Sequence, residues 1–239
     1  HVSDFAQFLD FMQDEYEVQF LIATGNFEQI PFRSWPPVVE LGNMDRLTSP
    51  SDSIRGLTVG SLALYDSVNS IVKKNEPSPF SRKGPGANYV LKPDLVDYGG
   101  NLNKDFSLNA VGMNGLDIDG NIIEDIGTSF SSPRVAYKYA HILDGLKDMD
   151  LLLGKGLLIH SAKLASRQSL KGAEGFNEYF GFGMPHIDSS EILGCNNNEI
   201  TLIFKQTITH SNHLEMRDFP FPKSLIKNGK YQGEILMTL

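Results

Sequence analysis

Between Ser3 and Asn26 the hydrophobic period of the chain changes once, and that change constrains the fold more than any other feature. Phe5, Phe8, Leu9, Phe11 and Met12 recur at helical spacing with Ser3 or Asp4 placed to cap them, so residues 3–17 read as an amphipathic helix. Val18-Gln19-Phe20-Leu21-Ile22-Ala23 follows as a short, mostly apolar run closed by Thr24-Gly25-Asn26. That is the profile of a buried strand emerging at a turn. A helix feeding a strand buried on both faces implies α/β layering, with helices flanking a mostly parallel sheet.

The rest of the chain continues this pattern. After a stretch punctuated by Pro31, Pro36, Pro37 and Pro50, Ile54 to Ser61 reads as a second strand on its Thr and Val content. Lys92 to Gly100 reads as a third, bounded by turn formers. Residues 110–126 are expected to form a hairpin around Asp119-Gly120, a dipeptide suited to a type I′ turn. Helices are expected over Ser131–Leu146 and Leu151–Leu164. Beyond Gly181-Phe182-Gly183 the period shortens to two at Ile200, Leu202 and Phe204 and again from Tyr231 to Leu239. Residues 1–195 are therefore expected as one α/β domain, entered partway with its first strands absent, and residues 196–239 as the beginning of a β-rich module.

Composition narrows the function classes. With 41% hydrophobic residues in 239, the chain can bury a large core. Its 29 acidic against 21 basic residues give a net charge of −8 and no basic cluster, which argues against a nucleic-acid partner. Apolar runs fall far short of the roughly 20 residues of a membrane helix, so no membrane anchor is expected. Cys195 is the single cysteine, which rules out an intrachain disulfide and favours a reducing, cytoplasmic setting, although localisation is otherwise unmarked. A free structural thiol is the expectation there.

Chemistry concentrates at Gly127-Thr128-Ser129-Phe130-Ser131-Ser132-Pro133, where an extended segment meets a helix. A hydroxyl there lies among unpaired backbone N–H groups at the positive end of the helix dipole, donors able to receive a developing oxyanion. Gly127 allows close approach of a substrate, and Pro133 suits a first helical turn. On the residues alone, the commoner use of such a serine is as an N-cap.

That heptapeptide resembles the nucleophile signature of the subtilases, and further blocks resemble the family's in the family's order. Ile22-Ala23-Thr24-Gly25-Asn26 is similar to the strand ending in the oxyanion-hole asparagine. Residues Pro50 to Gly60, ending in Thr58-Val59-Gly60, resemble the segment that ends in a Thr-Val-Gly strand. Phe80-Ser81-Arg82-Lys83-Gly84-Pro85 and Lys92-Pro93-Asp94-Leu95 resemble its Ser-Arg-Gly-Pro and Lys-Pro-Asp blocks, and residues 154–162 and 180–183 its later helix and glycine turn. The resemblance implies a serine endopeptidase acting on polypeptides without a cofactor. Ser129 would be the nucleophile, Asn26 the oxyanion donor together with the Ser129 backbone N–H, and Gly25 and Thr128 would flank the substrate.

The same resemblance implies an aspartate and a histidine upstream of the serine, yet neither the Asp-Ser/Thr-Gly nor the His-Gly-Thr block occurs. His1, His141, His160, His186, His210 and His213 all fall in unsuitable places. The isolated chain is thus expected to be inactive, with Asp and His supplied by an upstream segment of the same polypeptide. A subtilase-like interaction module without catalysis is the alternative. An open sheet edge also leads to an expectation of self-association. Asp117-Ile118-Asp119-Gly120-Asn121 resembles the opening of a calcium loop but lacks the twelfth-position glutamate, so a hairpin turn and no metal is expected. Glu124 and Asp125 would alternate across a strand rather than act as a pair. Trp35 is expected to anchor its Pro-rich loop, with lining a substrate cleft as the alternative.

Overall fold

A computed structural model describes residues 1–38, 41–169, 176–186, 192, 200–217 and 223–238, leaving aside the side chains of 167–169. Helix α1 (Asp4–Tyr16) leads into strand β1 (Leu21–Ala23); β2 (Leu57–Leu62) and β3 (Leu95–Tyr98) follow. These three strands form one parallel sheet in the order β1-β2-β3, with Ile22 opposite Thr58 and Val59 opposite Leu95. Strands β4 (Met113–Leu116) and β5 (Ile122–Asp125) make an antiparallel hairpin, and helices α2 (Thr128–Asp144), α3 (Leu151–Ser169) and α4 (Asn177–Phe180) follow. A two-residue antiparallel pair, β6 (Ile226–Lys227) and β7 (Lys230–Tyr231), lies near the C-terminus. The expected α/β class with a parallel sheet flanked by helices is thus the class observed.

Side-chain alternation splits the sheet between two cores. Leu57, Val59 and Leu95 face α2 and α3, where they meet Val135, Ile142 and Leu158. Val96 and Leu62, at positions of opposite parity in the same strands, turn to the other face and pack with Tyr179, Phe180 and Trp35. Every residue of β2 is buried, as a strand paired on both sides and covered on both faces must be. Trp35 meets Phe176, Tyr179 and Phe180 edge-on at centroid distances of 4.8, 5.0 and 5.4 Å, so it anchors its loop to the α4 segment.

Several elements differ from the sequence reading for identifiable reasons. Strand β1 starts only at Leu21, because the Gln13 side chain takes the Phe20 N–H at 2.7 Å. Strand β2 starts at Leu57, because Asp10 of α1 captures the Ile54 and Arg55 N–H groups and the Ser53 hydroxyl takes that of Gly56. The hairpin turn is not type I′. That turn needs positive φ at both central residues, whereas Gly120 alone has it between Asp117 and Asn121, and its N–H closes on Asp117 O. Helix α2 begins three residues early, at Thr128, and α3 runs to Ser169. Ile200 to Phe204 form no strand: Ile200, Ile203 and Phe204 are exposed and pair with nothing among the described residues. From Tyr231 onward, Tyr231 alone among the described residues lies in a strand. Cys195 and the boundary expected beside it lie outside the described residues.

Helix α1 is amphipathic but faces the unexpected way. Ala6 is buried, Asp10 and Gln13 bond to the body, and Asp14 pairs with Arg55 at 2.9 Å. Phe5, Phe8 and Phe11 are each more than half exposed.

Candidate functional site

The carboxyl ends of β1 and β3 bring the predicted residues together. Beyond β3, Gly99 O accepts the Gly127 N–H at 2.9 Å and hangs the nucleophile segment over the sheet. Gly99 is required there, since a Cβ would lie 2.5 Å from Gly127 O and 2.3 Å from the Ser61 hydroxyl. Beyond β1 stands Asn26. Its side-chain Oδ1 accepts from the Thr128 backbone N–H at 3.0 Å and from the Thr128 hydroxyl at 3.1 Å, across 102 residues of sequence.

These two bonds fix the amide's orientation. With Oδ1 held by Thr128, Nδ2 is left pointing the other way, and among the described residues it donates to nothing. Gly127, the residue before α2, has φ +152°, and a Cβ built on it would lie 3.2 Å from Asn26 Nδ2 and 3.7 Å from Ser129 N. Two donors therefore flank the face of Gly127 that carries no side chain. Ser129 sits in the first turn of α2, where the N–H groups have no intrahelical acceptor, and its side chain is exposed.

Ser129 is consequently not the N-cap; Gly127 holds that position. Pro133 falls in the second turn of α2, not the first, and so removes the N–H that would bond Ser129 O. Ser131 and Ser132 are buried and committed, donating to Thr128 O at 2.9 Å and Leu21 O at 3.1 Å. Thr128 is likewise buried, with both donors spent on Asn26. Gly25 has φ +90°, and its carbonyl accepts from Arg82 N at 3.2 Å.

Among the described residues the Ser129 hydroxyl bonds to no base. His141 stacks edge-on against Tyr137 at 4.3 Å, His160 shares a 3.0 Å bond with Thr238, the His186 N–H donates to Ser161, and His210 pairs with Ser211. His1 and His213 are exposed. Burial lowers the pKa of His160 below its ordinary value, with the Lys163 charge adding to it. Glu124 accepts from Ala110 N while Asp125 accepts from Ile126 N, so they point apart as expected. The Asp117 carboxylate is occupied by Asn121 and Asp119 N–H groups, and the Asn121 side-chain bond leads those that hold its pKa below the usual range. No group of three metal-ligating side chains occurs among the described residues, and no described helix is long and apolar enough to cross a membrane.

Sequence reasoning missed a charge cluster built on Asp97. Asp97, fully buried in β3, receives Arg134 at 2.8 Å and Lys138 at 2.5 Å from α2. The signal was present: Asp97 interrupts an apolar strand, and Lys138 lies on the apolar helix face beside Val135 and Ile142.

A family model described as "Subtilase family" matches residues 3–183. Over its whole length the chain is 27% identical to "Uncharacterized protein y4bN" of Sinorhizobium fredii and spans 62% of that protein. Among solved structures, the epidermin leader peptide processing serine protease (EpiP) of Staphylococcus aureus, as a mutant, is 18% identical and superposes with TM-score 0.53 over 78% of this chain and 43% of its own. The CspB protease of Clostridium perfringens is 22% identical, with TM-score 0.41 over 62% of this chain and 28% of its own.

Proposed function

This chain belongs to the subtilase family, and on that premise we propose that it carries the nucleophile and the oxyanion-stabilising half of a serine endopeptidase. Ser129 attacks a peptide carbonyl to give an acyl-enzyme. The oxyanion that develops is received by Asn26 Nδ2 and Ser129 N. Gly25 flanks the substrate through its backbone, and Thr128 serves the site by orienting Asn26. The observation that carries this reading is the pair of unspent donors, Asn26 Nδ2 and Ser129 N, that flank Gly127. Donors fixed before reaction stabilise developing charge without reorganising, and in the subtilisins, the source of the figure, loss of one such asparagine costs about 10²–10³ in turnover.

The proton-transfer half comes from an upstream segment that supplies Asp and His. Without a base the hydroxyl stays protonated and weakly nucleophilic, so the 239-residue chain alone is inactive. The test compares this chain with the polypeptide extended upstream, using peptide-ester turnover and labelling by a fluorophosphonate. The extended form should turn over and label at Ser129, and Ser129→Ala should abolish both. Turnover by the short chain that Ser129→Ala removes would overturn the division of labour. An extended form that neither hydrolyses nor labels would favour the non-catalytic interaction module.

A further inference from the structure

The block Phe80-Ser81-Arg82-Lys83-Gly84-Pro85 has no part in the chemistry above, yet it touches the Asn26 segment along its length. Residues 80–83 run between two other stretches and bond to both. On one side Phe27 N donates to Phe80 O at 2.6 Å and Arg82 N to Gly25 O at 3.2 Å; on the other Lys83 N donates to Asp45 O at 2.8 Å and Leu47 N to Lys83 O at 2.9 Å. Backbone pairing leaves the carbonyl of Asn26 itself without a backbone donor. The Arg82 side chain takes it, with Nε at 3.1 Å, while Nη1 donates to Met44 O at 3.0 Å and Arg46 O at 2.9 Å.

We infer that Arg82 is the positioning residue for the Asn26 donor. Asn26 lies beyond the end of β1, next to a glycine with φ +90°, so the sheet does not fix its backbone. Arg82 grips the peptide on each side of it: its own N–H holds Gly25 O and its guanidinium holds Asn26 O. With Phe27 N on Phe80 O, the peptide after Asn26 is held by both its carbonyl and its N–H. The Asn26 Cα–Cβ bond then has one direction, and Thr128 completes the placement from the side-chain end. The charge of Arg82 is not used for an ion pair among the described residues; it is spent on three backbone carbonyls. A planar guanidinium can span three acceptors that a single ammonium cannot, so lysine should not substitute.

This inference rests on Asn26 as the oxyanion donor, and its test separates the two. In the upstream-extended polypeptide, Arg82→Ala and Arg82→Lys should each lower kcat about tenfold to a hundredfold, as expected of a misplaced catalytic group, with KM unchanged. In an Asn26→Ala background the same changes should cost nothing further, because Arg82 acts through that side chain. Losses that multiply, or Arg82→Lys behaving as wild type, would overturn the assignment. A second readout needs no hydrolysis. In the 239-residue chain, Arg82→Lys should speed exchange of the Thr128 amide, which bonds to Asn26 Oδ1, about tenfold while β2 amides stay unchanged. Unaltered Thr128 exchange would overturn the inference even if the extended polypeptide proves inactive, and accelerated exchange with no hydrolysis would sink the catalytic reading alone.

Discussion

Replacing Asn26 separates its two jobs, because the atoms that stabilise the fold and the atom proposed for chemistry sit at opposite ends of one amide. Oδ1 receives the Thr128 N–H and hydroxyl, both on a residue 1% exposed; Nδ2 is unspent. Asn26→Ala removes the acceptor and strands a buried backbone donor. An orphaned buried donor costs about 1–3 kcal/mol; the hydroxyl can rotate to another acceptor and adds less. A total of about 2 kcal/mol corresponds to a fall in Tm of roughly 4–8 °C for a chain of this size. Asn26→Asp has nearly the same shape, but both its oxygens accept. It keeps the two bonds, now charge-assisted, and places a negative charge at the N-terminus of α2, where the helix dipole favours it by about 0.3–1 kcal/mol.

The expected order of stability is therefore Asn26→Asp at or above wild type, with Asn26→Ala well below. Thermal and urea unfolding of the 239-residue chain reads this directly. In the extended polypeptide the order should not carry over to turnover, since neither variant has the donor and both should lose about 10²–10³. If Asn26→Asp proves as destabilised as Asn26→Ala, the amide is not oriented as described and the unspent Nδ2 has no basis.

Three other outcomes follow from the same contacts. Gly127→Ala forces φ +152° on an alanine and places a methyl group 3.2 Å from Asn26 Nδ2; a loss of about 1–3 kcal/mol is expected in urea unfolding, and a wild-type midpoint would contradict the geometry. Asp97→Asn leaves Lys138, 5% exposed, without its counter-charge, and should destabilise by about 3–5 kcal/mol; a near-neutral result would show that the cluster is not ionised. The exposed aromatic face of α1, and β1 as an edge strand of the sheet among the described residues, should make the chain self-associate; sedimentation velocity should show Phe8→Glu shifting the population toward monomer, and a monodisperse wild-type monomer would refute this.

How far the sequence could be read depended on how local each signal was. Apolar runs, Thr and Val content, flanking turn formers and helical period located β1, β2, β3, α2 and α3 to within a few residues, because these signals are local to each element. Their ends were misplaced where a distant polar side chain took a backbone donor first, as Asp10 does at Ile54 and Arg55 and Gln13 at Phe20. The period at Ile200 to Phe204 misled because alternation gives a strand only when a neighbour supplies hydrogen bonds, and none is present among the described residues. Likewise, the helical period of α1 revealed its apolar face but not which way that face points. Ala6, Asp10 and Gln13 settle the direction through contacts with residues far along the chain.

The candidate site shows the same division in sharper form. Ser129 and Asn26 were legible only through resemblance, since a serine near a helix start and an asparagine after a strand are ordinary as caps and turns. What raises them above that is the pairing of Asn26 with Thr128 across 102 residues, a contact no local pattern encodes. Arg82 was legible as part of a matching block but its role was not, for a related reason: its partners are backbone carbonyls, which leave no residue-type signature to match. A placement that draws on the carbonyls of Met44 and Arg46 as well as that of Asn26 tolerates change in the Met44 and Arg46 side chains while requiring the guanidinium. The sequence feature to weigh in such a chain is thus an arginine whose charge has no carboxylate to meet.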